Sequence, residues 1–187
     1  MSPLTAWTNF YVIVGSSAGA LTGLTFVVIT LIAQIQQRAA NQAIPAFTTP
    51  TVVHFSVVLL LASLLSAPWP TLAPPAILLG LCGLAGLLYS AIVIRRQLRL
   101  DDYKPVVEDW LSYAAAPLVA FAALLVAAIL LPGNPVVALF IIGGVMALLL
   151  FLGIHNAWDA TTFIVVERIS RQIEPDKRDK RDEEGER

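Results

Sequence analysis

The amino-acid sequence predicts an all-α, polytopic membrane protein with five transmembrane helices. Hydrophobic residues make up 57% of the 187 residues and charged residues only 13%, whereas soluble domains carry roughly 25% charged residues. Five apolar runs reach about 17 residues or more, the length that crosses a hydrocarbon core. Polar or proline-rich loops separate them. The expected spans are residues 9–35, 51–67, 76–94, 110–131 and 136–154.

Small residues recur in three of these spans. In the first span Gly15, Gly19 and Gly23 are four residues apart, so a helix stacks them on one face. Such a face lets a second membrane helix approach closely. We therefore expect the small residues to mark helix contacts, and spans three and five repeat the pattern with Gly80, Gly83, Gly86, Gly143 and Gly144.

Prolines indicate where the other spans begin, bend or turn. Pro50 suits the first turn of the second span, where its missing N–H would be unpaired anyway. A proline-rich, uncharged loop at 67–75 follows that span. Pro117 lies inside the fourth span and predicts a kink, because it removes one helix hydrogen bond. Residues 131–135 predict a tight hairpin before the fifth span.

The fifth span is expected to continue beyond the membrane as an amphipathic helical stem. Trp158, Thr162, Val165 and Ile169 recur at three- to four-residue spacing, and no glycine or proline lies between Trp158 and Pro175. Residues 1–173 are thus predicted to form one five-helix domain with its stem. Residues 174–187 are mostly charged, and their composition predicts a disordered tail.

The distribution of charge predicts the orientation. With five spans, every charged side chain falls on the side that holds the first loop, the third loop and the C-terminal tail. Basic residues beside short loops mark the cytoplasm. We therefore expect the N-terminus outside and the C-terminus inside, in the inner (plasma) membrane of a cell.

Ionisable residues gather at the predicted cytoplasmic ends of three spans, and such residues at membrane depth are candidate functional groups. They are His54, His155, Asp159, Glu108 and Asp109. One interpretation is that His155 and Asp159 simply pair along their helix. A second is a cluster that responds to protons or cations, since histidine changes charge near neutral pH. A third is a haem or metal site built on His54 and His155, although no metal-binding spacing motif accompanies them.

Hydroxyl side chains on the first span offer a further candidate. Ser17, Thr22 and Thr25 could line a narrow path through the membrane. They could equally bond to carbonyl groups of their own helix. The sequence leaves both interpretations open.

The first span also resembles a known group of proteins. Trp7 and Phe10 are followed by Gly15-x-x-Ala18-x-x-x-Thr22-Gly23-Leu24-x-Phe26. This pattern is similar to the first span of a group of uncharacterised small bacterial polytopic inner-membrane proteins. The resemblance implies a bacterial inner membrane and brings no activity or functional residue with it.

The sequence favours a small homo-oligomeric channel or pore with a titratable cytoplasmic mouth. One alternative is a non-conducting adaptor or regulator that presents its stem and tail to a cytoplasmic protein. Another is a bis-histidine haem or metal-binding protein, and otherwise we expect no cofactor. No nucleophile with an activating base is recognisable, so an enzyme is not expected. The nearly cancelling charges of the tail do not favour nucleic acid.

Overall fold

The computed structural model of the chain describes residues 3–35, 44–97 and 115–185, and every regular element in these ranges is helical. A short 3₁₀ helix, Pro3–Trp7, leads into α1 (Thr8–Ile35). It is followed by α2 (Ile44–Ser66), α3 (Ala73–Gln97), α4 (Ala116–Leu130) and α5 (Pro135–Gly185). The all-α prediction is confirmed.

Three stretches of helix are long and apolar enough to cross a bilayer, namely Pro3–Thr30, Ala73–Arg95 and Pro135–Asp159. Two shorter apolar stretches are Thr51–Ser66 and Ala116–Leu130. Large apolar side chains also lie on the outer surface, among them Ile77, Phe140 and Phe151 with about two thirds of their area exposed. An apolar exterior of this kind fits a membrane protein.

The first two long helices form an antiparallel pair. A methyl group placed on Gly15 would lie 2.8 Å from Cβ of Ala62, and one on Gly19 would lie 3.8 Å from Leu59. Gly23 has no neighbour within 4 Å of such a group. Gly23 is also exposed, so only the first part of the predicted glycine face contacts α2.

The third and fourth helices form a second antiparallel pair. Methyl groups on Gly80 and Gly83 would lie 3.7 Å from Cβ of Ala128 and 3.0 Å from the backbone nitrogen of Leu125. One on Gly86 would overlap the ring of Phe121, which is fully buried. All three glycines thus lie at the helix contact, as the sequence predicts.

The fifth helix joins the two pairs, since it packs against both α2 and α4. Half of its apolar segment is buried, compared with 17% for α1 and 22% for α3. Gly143 faces the indole of Trp7, whose ring also contacts Phe140 at a centroid distance of 4.9 Å. Gly144 is exposed and has no such neighbour, so its predicted role in packing is not seen within this chain.

The connections follow from local hydrogen bonds. The backbone N–H groups of Gly133 and Asn134 both donate to the carbonyl of Leu130, which closes the predicted hairpin. Pro135 then occupies the first position of α5, where its fixed φ and missing N–H suit a helix. At the other turn, Nε1 of Trp69 donates to the carbonyl of Leu64 at 2.6 Å and satisfies the end of α2.

Several helix ends differ from the predicted spans. The backbone of α2 begins at Ile44, before Pro50. Pro117 is the second residue of α4, so the helical turn before it, where the sequence predicts a kink, extends outside the described residues. The last helix continues to Gly185, whereas composition predicts disorder from residue 174.

Candidate functional site

A pair of buried polar side chains lies on the two central helices. His54 of α2 is 2% exposed and Asn156 of α5 is fully buried. Neither nitrogen of His54 and neither polar atom of the Asn156 amide has a hydrogen-bond partner among the described residues. A buried polar group without a partner costs about 1–3 kcal/mol. Two such residues on packed helices are therefore the strongest candidate for a functional site.

Helix packing brings the two residues to the same depth. A methyl group on Gly153 would overlap the ring of Phe55, so these two residues face each other across α2 and α5. Gly143, near the start of α5, lies beside Trp7. Trp7 precedes Gly15, which contacts Ala62 near the end of α2, whereas Phe55 lies nearer the start of α2. The two helices α2 and α5 therefore run antiparallel. With a rise of 1.5 Å per residue, His54 and Asn156 then differ in depth by only about 3 Å.

Each residue also lies on the buried face of its helix. In α2 the buried positions Thr51, His54, Val58 and Leu61 follow helical spacing. In α5 Asn156 continues the buried row of Leu149, Leu152 and Gly153. Thr51 is buried one turn from His54 and already has an interaction partner. The interior between α2 and α5 thus changes from apolar to polar at this level.

The second histidine lies in a different environment. Nε2 of His155 is 3.2 Å from Oδ2 of Asp159, and the two side chains are 46% and 38% exposed. They pair along the outer surface of α5, as the first interpretation predicts. His155 precedes Asn156 by one residue, which on a helix turns its side chain about 100° away.

The predicted cluster of five ionisable residues is therefore found only in part. The structure brings His155 and Asp159 together, and it places His54 separately, in the protein interior. Glu108 and Asp109 lie outside the described residues. Within the described part of the chain, no three His, Cys, Asp or Glu side chains are grouped so that they could hold a metal ion. The bis-histidine haem or metal site stays a prediction that these contacts do not support.

Sequence analysis missed Asn156, the most buried polar residue of the site. The signal was its spacing: it follows Gly153 by three residues and Leu149 by seven, which places it on the face that packs against other helices. The nearby exposed residues His155, Trp158 and Asp159 make the segment look like a helix leaving the membrane. Asn156 is therefore difficult to recognise as buried from the sequence, because exposed polar residues lie close to it in the sequence.

The three hydroxyl groups of α1 that the sequence singles out bond to their own helix. Ser17, Thr22 and Thr25 each donate, at 2.8 Å, to the carbonyl four residues earlier. All three are partly buried. A hydroxyl bonded in this way satisfies itself without a solute or a neighbouring helix, so these groups behave as the second interpretation of the sequence predicts.

Comparison with known proteins adds no functional assignment. No protein-family model, no curated protein and no solved structure matches the chain.

Proposed function

We propose that the protein is a five-span protein of the bacterial inner membrane and acts as a non-catalytic adaptor. In this proposal the helical bundle anchors the chain and the stem of α5 presents a binding surface to a cytoplasmic protein. The N-terminus lies outside and the C-terminus inside. Lipid surrounds the bundle, and copies of the chain can associate through it.

The observation that carries the proposal is the continuity of α5. This helix has 51 residues, so it is about 77 Å long. Its apolar segment, Pro135–Asp159, is the most buried of the three long ones. The remaining residues to Gly185 extend about 39 Å farther. Because one helix forms both the centre of the bundle and the stem, a shift in the bundle moves the stem with it.

The packing of the interior also supports a non-conducting bundle. Large side chains fill the centre of the described residues, and Phe55, Phe121, Leu124 and Met146 are each at most 1% exposed. The hydroxyls of Ser17, Thr22 and Thr25 on α1 are bonded to backbone carbonyls. These three hydroxyls therefore do not offer an ion the row of available polar groups that a path along α1 would need.

Cross-linking from the stem tests the adaptor function. A photo-reactive amino acid is introduced at Gln172 in the full chain, and its adducts are collected in native membranes. The matched control carries the same group at Ile77, which is 65% exposed on the apolar surface of α3. We expect one cytoplasmic protein to be captured from Gln172 and not from Ile77.

The reversal Arg171→Glu should weaken binding of that purified protein to the full chain in nanodiscs. Adducts between copies only, or unchanged binding, would reject the adaptor.

Cysteine labelling tests the five-span topology independently. Cys82 is replaced by alanine, and a single cysteine is placed at Gly133, where a side chain meets no atom within 4 Å. A membrane-impermeant maleimide should label Gly133→Cys in intact cells. The matched variant Gln172→Cys should react only after lysis. Labelling of both positions from the same side would show that α5 does not cross the membrane and would contradict the proposed topology.

A homo-oligomeric channel is the second candidate function. It is favoured by the exposed second half of α1, where Gly23 has no neighbour within 4 Å and Thr25 is only partly buried. This surface is available to a second copy, and the exposed pair of His155 and Asp159 would lie near the mouth of such a channel. Reconstituted protein should then pass ions or protons across liposomes. Absence of flux over a wide range of pH and voltage would reject the channel.

A further inference from the structure

We propose that His54 and Asn156 hold bound water between α2 and α5, at the level where α5 changes from core to stem. Both side chains are more than nine-tenths buried. Four polar atoms are involved: Nδ1 and Nε2 of His54, and Nδ2 and Oδ1 of Asn156. None has a hydrogen-bond partner among the described residues. Buried polar groups in this situation are commonly satisfied by internal water.

The chemistry of the four atoms selects water over an ion. A neutral imidazole offers one donor and one acceptor, and an amide offers an N–H donor group and a carbonyl acceptor. This balanced set matches water, which donates and accepts equally. A hard cation needs about six oxygen ligands, whereas Asn156 supplies one. An anion would leave the acceptor atoms of both residues unmatched.

Apolar side chains border the proposed water site on one side. Phe55 precedes Val58 and Leu61 on the buried face of α2, and Leu149 and Leu152 precede Asn156 on α5, so the interior on that side is apolar. Water is therefore confined to the polar end of the α2–α5 contact. Hydrogen bonds through water adjust more readily than a tight apolar contact. Such a site would allow α5 to shift relative to α2 without breaking the core.

X-ray radiolysis of the full chain in nanodiscs tests the site. Irradiation converts water inside the protein to hydroxyl radicals, which oxidise the side chains next to it, and mass spectrometry locates the products. Phe55 and Phe121 form a matched pair, because each is at most 1% exposed and each packs against a glycine. We expect oxidation at His54 and Phe55 that clearly exceeds oxidation at Phe121. Equal oxidation of the two phenylalanines would overturn the proposal.

A substitution tests the part played by the amide. In Asn156→Leu, which keeps a similar side-chain size, oxidation of His54 and Phe55 should fall to the level of Phe121. The control His155→Gln changes the adjacent, exposed residue and should leave the labelling unchanged. Labelling that persists in a folded Asn156→Leu variant would overturn the pairing of the two residues. If that variant does not fold, the wild-type comparison of Phe55 with Phe121 still decides whether water is present.

Discussion

Replacing Gly86 by alanine should destabilise the protein, because the new methyl group enters space occupied by Phe121. A Cβ at Gly86 overlaps the ring of this phenylalanine, which has no exposed area and so has little room to move. Inserting atoms into a well-packed core costs about 1–3 kcal/mol. The direct contact with three ring atoms places Gly86→Ala toward the upper part of that range.

Gly80→Ala is the matched control for this substitution. Gly80 lies in the same helix, and its new methyl group would be 3.7 Å from Cβ of Ala128, an ordinary contact. Both variants gain the same helix preference of about 0.5–1 kcal/mol over glycine. That gain cancels in the comparison, so Gly86→Ala should be less stable than Gly80→Ala by about 1–3 kcal/mol, or roughly 5- to 150-fold in the unfolding equilibrium.

The assay is reversible unfolding of the full chain in micelles, followed by circular dichroism. A second variant tests the cause of the loss: Phe121→Leu should recover part of the stability of Gly86→Ala, with a coupling of about 0.5–3 kcal/mol in the double-mutant cycle. Equal stabilities of Gly80→Ala and Gly86→Ala, or no coupling with Phe121, would refute the packing assigned to α3 and α4.

Three smaller effects follow from polar contacts. Asp159→Asn should change the free energy of unfolding by at most about 0.5 kcal/mol, since its pair with His155 is exposed; a larger loss in the same unfolding assay would show that this pair does more than join two surface residues. Trp69→Phe removes the bond to the carbonyl of Leu64 and should cost about 1 kcal/mol, measured in the same way. Asn134→Ala should cost about 0.5 kcal/mol, the lower end for an N-cap, because Oδ1 accepts from the N–H of Val137 at a long 3.5 Å. A cost near 2 kcal/mol would contradict that weak cap.

The helical type of the described residues follows from the sequence because apolar runs and proline-rich turns are local signals. The hairpin before Pro135 is an example, since its glycine, asparagine and prolines determine the turn without distant contacts. The ends of α2 and α5 were harder to predict. Hydropathy marks the apolar segment of a helix, but the backbone continues beyond it, as α5 does past Asp159.

The candidate site was less predictable than the fold. His54 and His155 look equivalent in the sequence, as histidines near the same predicted membrane surface. Their environments differ because helix rotation buries His54 and turns His155 outward to Asp159. A difference of one position around a helix, about 100°, decides between core and surface. Asn156 follows His155 by one residue and is therefore on the buried side of α5. The spacing of residues in the sequence predicts this burial only if the buried face of α5 is already known.

The glycines show why a repeated residue does not have a repeated role. Gly15 and Gly23 have the same spacing from Gly19, yet a side chain at Gly15 would press against Ala62 and one at Gly23 would meet nothing. Gly143 and Gly144 are adjacent, and only Gly143 faces Trp7. A small residue permits close approach, but the partner helix decides whether the approach occurs. The partner that unites this bundle is α5, which contacts both helix pairs and also forms the stem. The same helix therefore forms the centre of the fold and the proposed connection from membrane to cytoplasm. Asn156 lies near the end of its apolar segment, and His54 of α2 lies at a similar depth.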